Sequence, residues 1–141
     1  MDANELARKV AETMFAAEGT GPAWGMRIDE VRAGFARVSM PLRDDMLNGH
    51  RTAHGGVIFA LADTAFAYVC NGANNRSVAA YCTITFLNPA REGDTLVAEA
   101  EEILREGRTG MTRCAITTAD GRRIAEFTGT SRTVGGAVVD A

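Results

Sequence analysis

One long apolar segment constrains the fold of this chain more than any other part of it. The segment covers residues 57–70, is rich in Ala and lacks both Pro and Gly, and this composition favours a helix. Because apolar residues would occupy every face of that helix, we expect it to be buried inside a domain rather than half exposed on a surface. A single acid, Asp63, interrupts it.

The helix carries two features that a purely structural core helix does not need. Gly55 and Gly56 stand directly before the apolar run, so a ligand can approach the backbone closely there. The unpaired N–H groups of the first turn can then bind an anion or a polarised carbonyl oxygen. Asp63 is the second feature, because a carboxylate in apolar surroundings loses hydration and needs partners, water or a function to offset that cost.

These two features cannot meet within one chain. Eight positions separate Gly55 from Asp63, which at about 1.5 Å of rise per residue places them roughly 12 Å apart along the helix. If both act on one substrate, a second copy of the helix, running antiparallel, has to bring its Asp63 to this Gly55. We therefore predict a two-fold homodimer with two composite sites, each built from both subunits.

The rest of the chain indicates an α+β domain. Apolar residues at three- and four-residue steps predict an amphipathic helix over residues 5–17. Alternating polarity predicts six strands, over residues 26–31, 35–42, 78–87, 95–104, 110–118 and 122–133. The economical packing is one antiparallel sheet wrapped around one long central helix. We expect a single domain over residues 1–141, with loose ends at 1–4 and 137–141.

Composition excludes several classes of function. Hydrophobic residues make up 46% of the chain, charged residues make up 23%, and the net charge is −3, so we expect no nucleic-acid partner. The amino end lacks the parts of a secretory signal and Asp63 interrupts the only run long enough to cross a bilayer, so we expect a cytoplasmic protein with no membrane partner.

Disulfide, metal and serine-triad chemistry are also disfavoured. The three cysteines stand far apart, and His50 and His54 lack a third ligand, so we expect neither a disulfide nor a metal site. No serine stands in a Gly-x-Ser-x-Gly setting, which disfavours a Ser-His-Asp triad.

The order of the elements, together with three short motifs, resembles the hotdog-fold acyl-coenzyme A thioesterases, and most closely their phenylacetic-acid-degradation branch. The motifs are Leu47-Asn48-Gly49-His50, His54-Gly55-Gly56 and Leu61-Ala62-Asp63-Thr64-Ala65-Phe66-Ala67. The His-Gly-Gly triplet alone is weak evidence, but Asn48 six residues before His54 and Asp63 nine residues after it make a specific set. The resemblance implies the hotdog fold, in which an antiparallel sheet wraps around one long central helix.

The resemblance also implies catalytic roles. The backbone N–H of Gly55 holds the thioester carbonyl oxygen, while Asp63 of the other subunit attacks the carbonyl or activates a water that does. Asn48 and His54 orient the carbonyl, the water or the loop. Substrate contacts are expected from Met46, Gly56, Thr64 and Phe66. Because a thiolate is a good leaving group, such a reaction needs an oxyanion site and an activated nucleophile more than it needs an acid.

For the ligands and the assembly, the resemblance implies an acyl-coenzyme A substrate, with phenylacetyl or a hydroxylated relative as the acyl group. It implies no cofactor, a homodimer that is required for the active site, and a homotetramer made of two such dimers. The partners of the coenzyme A phosphates are open among five arginines: Arg91, Arg105, Arg108, Arg122 and Arg123. Where relatives often have a basic residue, this chain has Asn88.

Several alternatives remain open at this point. Asp63 can be a buried acid that hydrogen bonds satisfy at a dimer interface, Gly55 can serve only close helix packing, and His54 can cap the helix instead of acting in catalysis. Phe66 is first of all a core residue. Two other functions compete with hydrolysis: an acyl-coenzyme A sensor that binds without reacting, and a hotdog dehydratase acting on 3-hydroxyacyl thioesters.

Overall fold

Three helices and six strands make up the chain. The computed structural model describes all residues, Met1–Ala141. In chain order the elements are α1 (Ala3–Ala17), α2 (Thr20–Ala23), β1 (Arg27–Arg32), β2 (Phe35–Pro41), a 3-10 turn (Asp44–Met46), α3 (Gly55–Asn71), β3 (Ser77–Phe86), β4 (Thr95–Glu106), β5 (Thr109–Thr118) and β6 (Arg123–Thr133). Both long helices and all six strands are confirmed, each within two residues of the predicted bounds. The single turn α2 is an addition to the prediction.

The six strands form one antiparallel sheet in the order β1-β2-β4-β5-β6-β3. Tight turns join neighbours that follow each other in sequence, and glycines occupy the left-handed positions they need, with φ +76° at Gly34 and +94° at Gly121. β3 pairs only with β6, so β1 and β3 are the two edges of the sheet.

The sheet curves around α3, which confirms the predicted packing. Leu61, Ala62 and Ala65 of the helix are fully buried, and they face apolar side chains from the inner face of the sheet. The approach is close at Gly129 of β6, where an added Cβ would lie 2.8 Å from the Phe66 ring. A larger residue there would force the Phe66 ring to shift.

The sequence predicts that α3 is buried on every side, but the structure leaves part of the helix accessible. One stripe remains accessible to solvent, and we call it the open stripe. It consists of Gly56, Phe59, Ala60, Asp63 and Ala67. These positions recur every three to four residues and therefore lie on one face of the helix. The sheet covers the opposite face, so the pattern of apolar residues exceeds what one protomer can bury.

Both chain ends make contacts with the rest of the chain. Asp2 and Glu5 form a capping box at the start of α1, and this helix packs against β1 and α3. In the carboxyl-terminal segment Val139 is buried, and the Asn74 side chain bonds the backbone of Val138 and Val139 at 2.9 Å. None of the helices combines the length and the apolar character that crossing a bilayer requires.

Candidate active site

α3 begins with a backbone N–H that no group of the chain accepts. His54 is the N-cap residue, and its Nδ1 accepts a hydrogen bond from the Gly56 N–H at 2.9 Å. The N–H groups of Val57 and Ile58 donate to the His54 carbonyl at 2.9 and 3.2 Å. The Gly55 N–H has no partner, so the partial positive charge of the first turn is open to a ligand.

His54 therefore caps α3, which confirms one of the two roles considered for it. Because Nδ1 accepts the bond from Gly56, the neutral ring carries its proton on Nε2. The side chain is exposed, and Nε2–H remains available as a donor. Capping and substrate orientation are thus compatible in the same ring.

The Asn48 side chain organises the loop that leads into α3. Its Oδ1 accepts hydrogen bonds from the His50 N–H at 2.9 Å and from both the N–H and the hydroxyl of Thr52 at 3.2 Å. These three donors identify the oxygen of the amide, and its Nδ2 donates to no group of the chain. Asn48 therefore stabilises the loop with one atom and offers a free donor with the other.

Backbone bonds hold this loop against its neighbours. The His54 N–H donates to the Met46 carbonyl at 2.9 Å, and the Ala53 N–H donates to the Ala90 carbonyl at 2.8 Å. Arg51 adopts a left-handed conformation with φ 63°, which is uncommon for a residue other than Gly. The start of α3 is thereby held in place from two sides.

A cavity of about 400 Å³ opens in front of Gly55. Asn48 and Thr52 line one side of it, while Phe86 at the end of β3 and the following Asn88 line the other. The Phe86 ring lies so close to Gly55 that an added Cβ would stand 3.2 Å from its Cζ. Gly55 therefore allows close packing and presents its N–H to the cavity at the same time.

Asp63 has no partner within its own protomer. Burial raises the pKa of its carboxyl above the ordinary 3.8, and no hydrogen bond or charge opposes this shift. The carboxyl lies near the Cys82 thiol of β3, whose pKa is raised by burial and secondarily by Asp63. A raised thiol pKa keeps Cys82 protonated at neutral pH, which makes it a poor nucleophile.

The structure brings some of the candidate residues together and separates others. Asn48 and Gly55 line the cavity, with His54 and Gly56 in the adjoining turn. Asp63 lies two turns along the same helix, about 12 Å from Gly55 along its axis. The remaining three candidates lie within the core rather than at the cavity: Met46, Thr64 and Phe66 are 3%, 8% and 1% exposed.

Their contacts explain these positions. The Thr64 hydroxyl donates to the Ala60 carbonyl of its own helix at 2.7 Å. The Phe66 ring packs against Phe127 of β6, with 5.7 Å between the ring centroids. Met46 reaches the site only through its backbone carbonyl, which accepts the bond from His54.

Sequence reasoning gave no site role to Phe86, although its ring is the aromatic wall of the cavity. The last residue of a strand followed by Leu87, Asn88 and Pro89 does mark a strand end at a loop. That signal does not tell which end of α3 the strand approaches, because the pairing of β3 with β6 is not local.

The chain is similar to several known proteins. A family model described as the thioesterase superfamily matches residues 50–125, which include α3, the three strands β3, β4 and β5, and the start of β6. The acyl-coenzyme A thioesterase PaaI of Escherichia coli is 41% identical to the chain over 128 residues, 91% of each protein.

Two solved structures extend the comparison to three dimensions. The structure of the E. coli PaaI protein from the phenylacetic acid degradation operon has a TM-score of 0.94 and 39% identity, covering 96% of this chain and 99% of that one. A hypothetical thioesterase protein with coenzyme A from Streptococcus pneumoniae has a TM-score of 0.77 and 25% identity, covering 79% and 90%.

Proposed function

This chain belongs to the thioesterase superfamily and has its hotdog fold, and we propose that it hydrolyses acyl-coenzyme A thioesters with Asp63 of one subunit acting at the Gly55 amide of the other. The class of thioester hydrolase rests on the family and on the similarity to E. coli acyl-coenzyme A thioesterase PaaI. The observation that carries the residue assignment is the unpaired Gly55 N–H, which faces a cavity of about 400 Å³.

The Gly55 N–H acts on the carbonyl oxygen of the thioester. This oxygen gains negative charge as the tetrahedral intermediate forms, and an N–H at a helix start stabilises that charge more than it stabilises the ground state. The free Nδ2 of Asn48 and the Nε2–H of His54 are further donors beside it. They orient the carbonyl or the attacking water.

Asp63 supplies the nucleophile in its ionised form. It removes a proton from a water that attacks the carbonyl carbon, or it attacks directly and forms an anhydride that water then opens. Its raised pKa makes the carboxylate a stronger base than an exposed aspartate. The C–S bond breaks, the carboxylic acid keeps the oxygen of water, and the sulfur of coenzyme A leaves as a thiolate and takes up a proton.

Two exposed surfaces support the homodimer. One is the open stripe, whose Asp63 lies near Cys82 of β3, and the other is the free edge of β3. Large apolar side chains are exposed on this strand and just after it: Val78, Tyr81, Phe86 and Leu87. A second copy related by a two-fold axis would cover both surfaces and set the two α3 helices antiparallel. A homotetramer of two such dimers remains a prediction.

For the acyl group we propose phenylacetyl or a hydroxylated phenylacetyl. The similarity to a protein of the phenylacetic acid degradation operon supports it. The cavity supports it as well, because the exposed part of the Phe86 ring offers an aromatic wall beside Gly55.

The test is release of thiol from phenylacetyl-coenzyme A by the wild type and by Asp63→Asn. We expect the variant to release thiol about a thousand-fold more slowly, the effect of losing a general base or nucleophile, while it still binds coenzyme A. Tight binding by the wild type without thiol release would favour the sensor. A dehydratase would also release no thiol, but it would form a double bond in a 3-hydroxyacyl thioester.

A further inference from the structure

The phosphates of an acyl-coenzyme A need cations at the mouth of the cavity. Coenzyme A carries its negative charges on the diphosphate and the 3′-phosphate of its nucleotide, and guanidinium groups bind such phosphates through charge-assisted hydrogen bonds. Within the protomer that supplies Gly55, Arg105 and Arg108 stand at the wrong end of α3, since Arg105 Nη2 lies 3.5 Å from the Cys70 carbonyl. The helix separates this end from Gly55 by about 24 Å.

Four arginines stand near the cavity, and three of them already bind carboxylates. Arg122 pairs with Asp94 at 2.9 Å and Arg123 pairs with Glu126 at 3.0 Å. Arg51 pairs with Asp44 and also faces Glu92. The fourth, Arg91, has an exposed side chain and forms no ion pair or side-chain hydrogen bond with the chain.

The backbone around Arg91 is held rigidly against the catalytic loop. Ala90 is buried and its carbonyl accepts the bond from the Ala53 N–H at 2.8 Å. The Arg91 N–H donates to Asp94 Oδ2 at 2.8 Å, and the Asp94 N–H donates back to the Arg91 carbonyl at 3.0 Å. The turn thus carries an unpaired guanidinium two residues after Pro89, which lines the cavity.

Arg122 adds a second cation to the same turn. Its Nη2 bonds Asp94 Oδ2 and lies 3.4 Å from the Pro89 carbonyl, so other N–H groups of its guanidinium are free. The two acids of the turn are each occupied: Arg122 neutralises Asp94, and Glu92 lies 4.0 Å from Arg51.

On the premise of the proposed function, we propose that Arg91 binds the phosphates of the coenzyme A nucleotide, with Arg122 beside it as the supporting cation. The acyl group then points toward Gly55 and the nucleotide lies on the turn between Pro89 and Asp94. Arg91 is a binding residue in this assignment and does not touch the reacting atoms.

The test measures binding rather than hydrolysis, with Arg91→Ala, Arg91→Lys and the wild type titrated with coenzyme A, dephospho-coenzyme A and pantetheine. We expect Arg91→Ala to weaken coenzyme A binding roughly tenfold, the effect of one lost charge-assisted contact. Arg91→Lys should recover part of it, and pantetheine should bind all three proteins alike. A contact with the 3′-phosphate would leave dephospho-coenzyme A equally bound by all, whereas a contact with the diphosphate would keep the tenfold difference.

Two further variants serve as controls. Arg8→Ala removes an exposed charge from α1, which contacts α3 near Gly72 at the end opposite Gly55, and should leave the affinity unchanged. Unchanged coenzyme A binding by Arg91→Ala, an equal loss with pantetheine, or a loss that follows Arg108→Ala instead would each overturn the assignment. Thiol release measured in parallel separates the two claims, because a hydrolase with no Arg91 effect keeps the proposed function, while Arg91-dependent binding without hydrolysis keeps this inference.

Discussion

The two edge strands of the sheet, β1 and β3, differ in their charged residues. β1 carries Arg27, Asp29, Glu30 and Arg32 among its six residues, and ion pairs join Arg27 to Asp29 at 3.0 Å and Arg32 to Glu30. β3 has no charged residue along its length. Charged side chains on an edge strand prevent its backbone from pairing with another strand.

The β1 edge is therefore protected against pairing with another strand, whereas the β3 edge is not. On β3 the Tyr81 side chain is 67% exposed and Phe86 is 52% exposed, which is costly for a surface that stays in water. The same side of the molecule holds the open stripe of α3 with its unpartnered Asp63. Both the apolar strand edge and the lone acid are accounted for if a second copy of the chain covers them.

We expect the largest effect from a substitution on the β3 edge. Tyr81→Lys puts a charge near the middle of the exposed edge strand, and a charged side chain there opposes its burial by a second copy. We expect monomers in analytical ultracentrifugation at micromolar concentration. We also expect thiol release from phenylacetyl-coenzyme A to fall about a thousand-fold or more, because each site would lose its Asp63.

Asp29→Lys is the matched substitution on the other edge strand, β1. It loses the ion pair with Arg27 and places a second cation beside it, and charges exposed to water contribute little to stability. The assembly and the activity should therefore stay as in the wild type. A monomeric Tyr81→Lys protein with undiminished activity would show that one protomer holds a complete site.

The next prediction concerns the backbone N–H of Gly55. Gly55→Pro removes the N–H, and the backbone accepts proline because Gly55 is the first helical residue and His54 has φ −62° and ψ 135°. Gly55→Ala keeps the N–H and adds the same Cβ contact with Phe86. We expect kcat of Gly55→Pro to lie about a hundred-fold below that of Gly55→Ala, the effect of one lost oxyanion donor. Equal kcat values for the two would remove Gly55 from the mechanism.

Mixed dimers test whether the Gly55 and the Asp63 of one site come from different protomers. Gly55→Pro and Asp63→Asn protomers are each inactive as pure dimers, but a mixed dimer contains one site with an intact amide and an intact acid. Random reassociation makes half of the dimers mixed, so we expect about a quarter of wild-type thiol release. A mixture no more active than its components would mean that both residues of a site come from the same protomer.

Much of this architecture could be predicted from local sequence, and the remainder depends on contacts that are not local. The helical composition of 57–70 and the Gly34 and Gly121 turns locate α3 and the hairpins within two residues. The place of β3 at the edge depends on its pairing with β6, and so does the contact of Phe86 with Gly55.

Burial was the other property that local pattern could not supply. An apolar helix predicts a buried one, yet the open stripe shows that one protomer encloses only part of α3. Phe66 and Thr64 belong to the enclosed part, which a motif shared with a family does not reveal. A separate motif, Leu47-Asn48-Gly49-His50, identifies Asn48. Only the hydrogen bonds show that its amide oxygen holds the loop while its Nδ2 stays free.

The smallest expected effect is on the free energy of unfolding. It distinguishes Asp63 of α3, which has no partner, from the ion-paired acids of β1. The pKa of Asp63 is raised in the folded protein from the ordinary 3.8. Below pH 3.8 the carboxyl is protonated in both the folded and the unfolded protein. As pH rises from there through the pKa of the folded state, the free energy of unfolding falls, because the unfolded protein ionises first. Asp63→Asn should therefore raise the free energy of unfolding at pH 7, on the order of 0.5 kcal/mol as at partly exposed sites, with the gain vanishing below pH 3.8. Urea unfolding at equal protein concentration measures this. Asp29→Asn, which loses its pairing with Arg27, should show no gain at pH 7, and an equal gain in both variants would show that net charge rather than the unpartnered position of Asp63 is responsible.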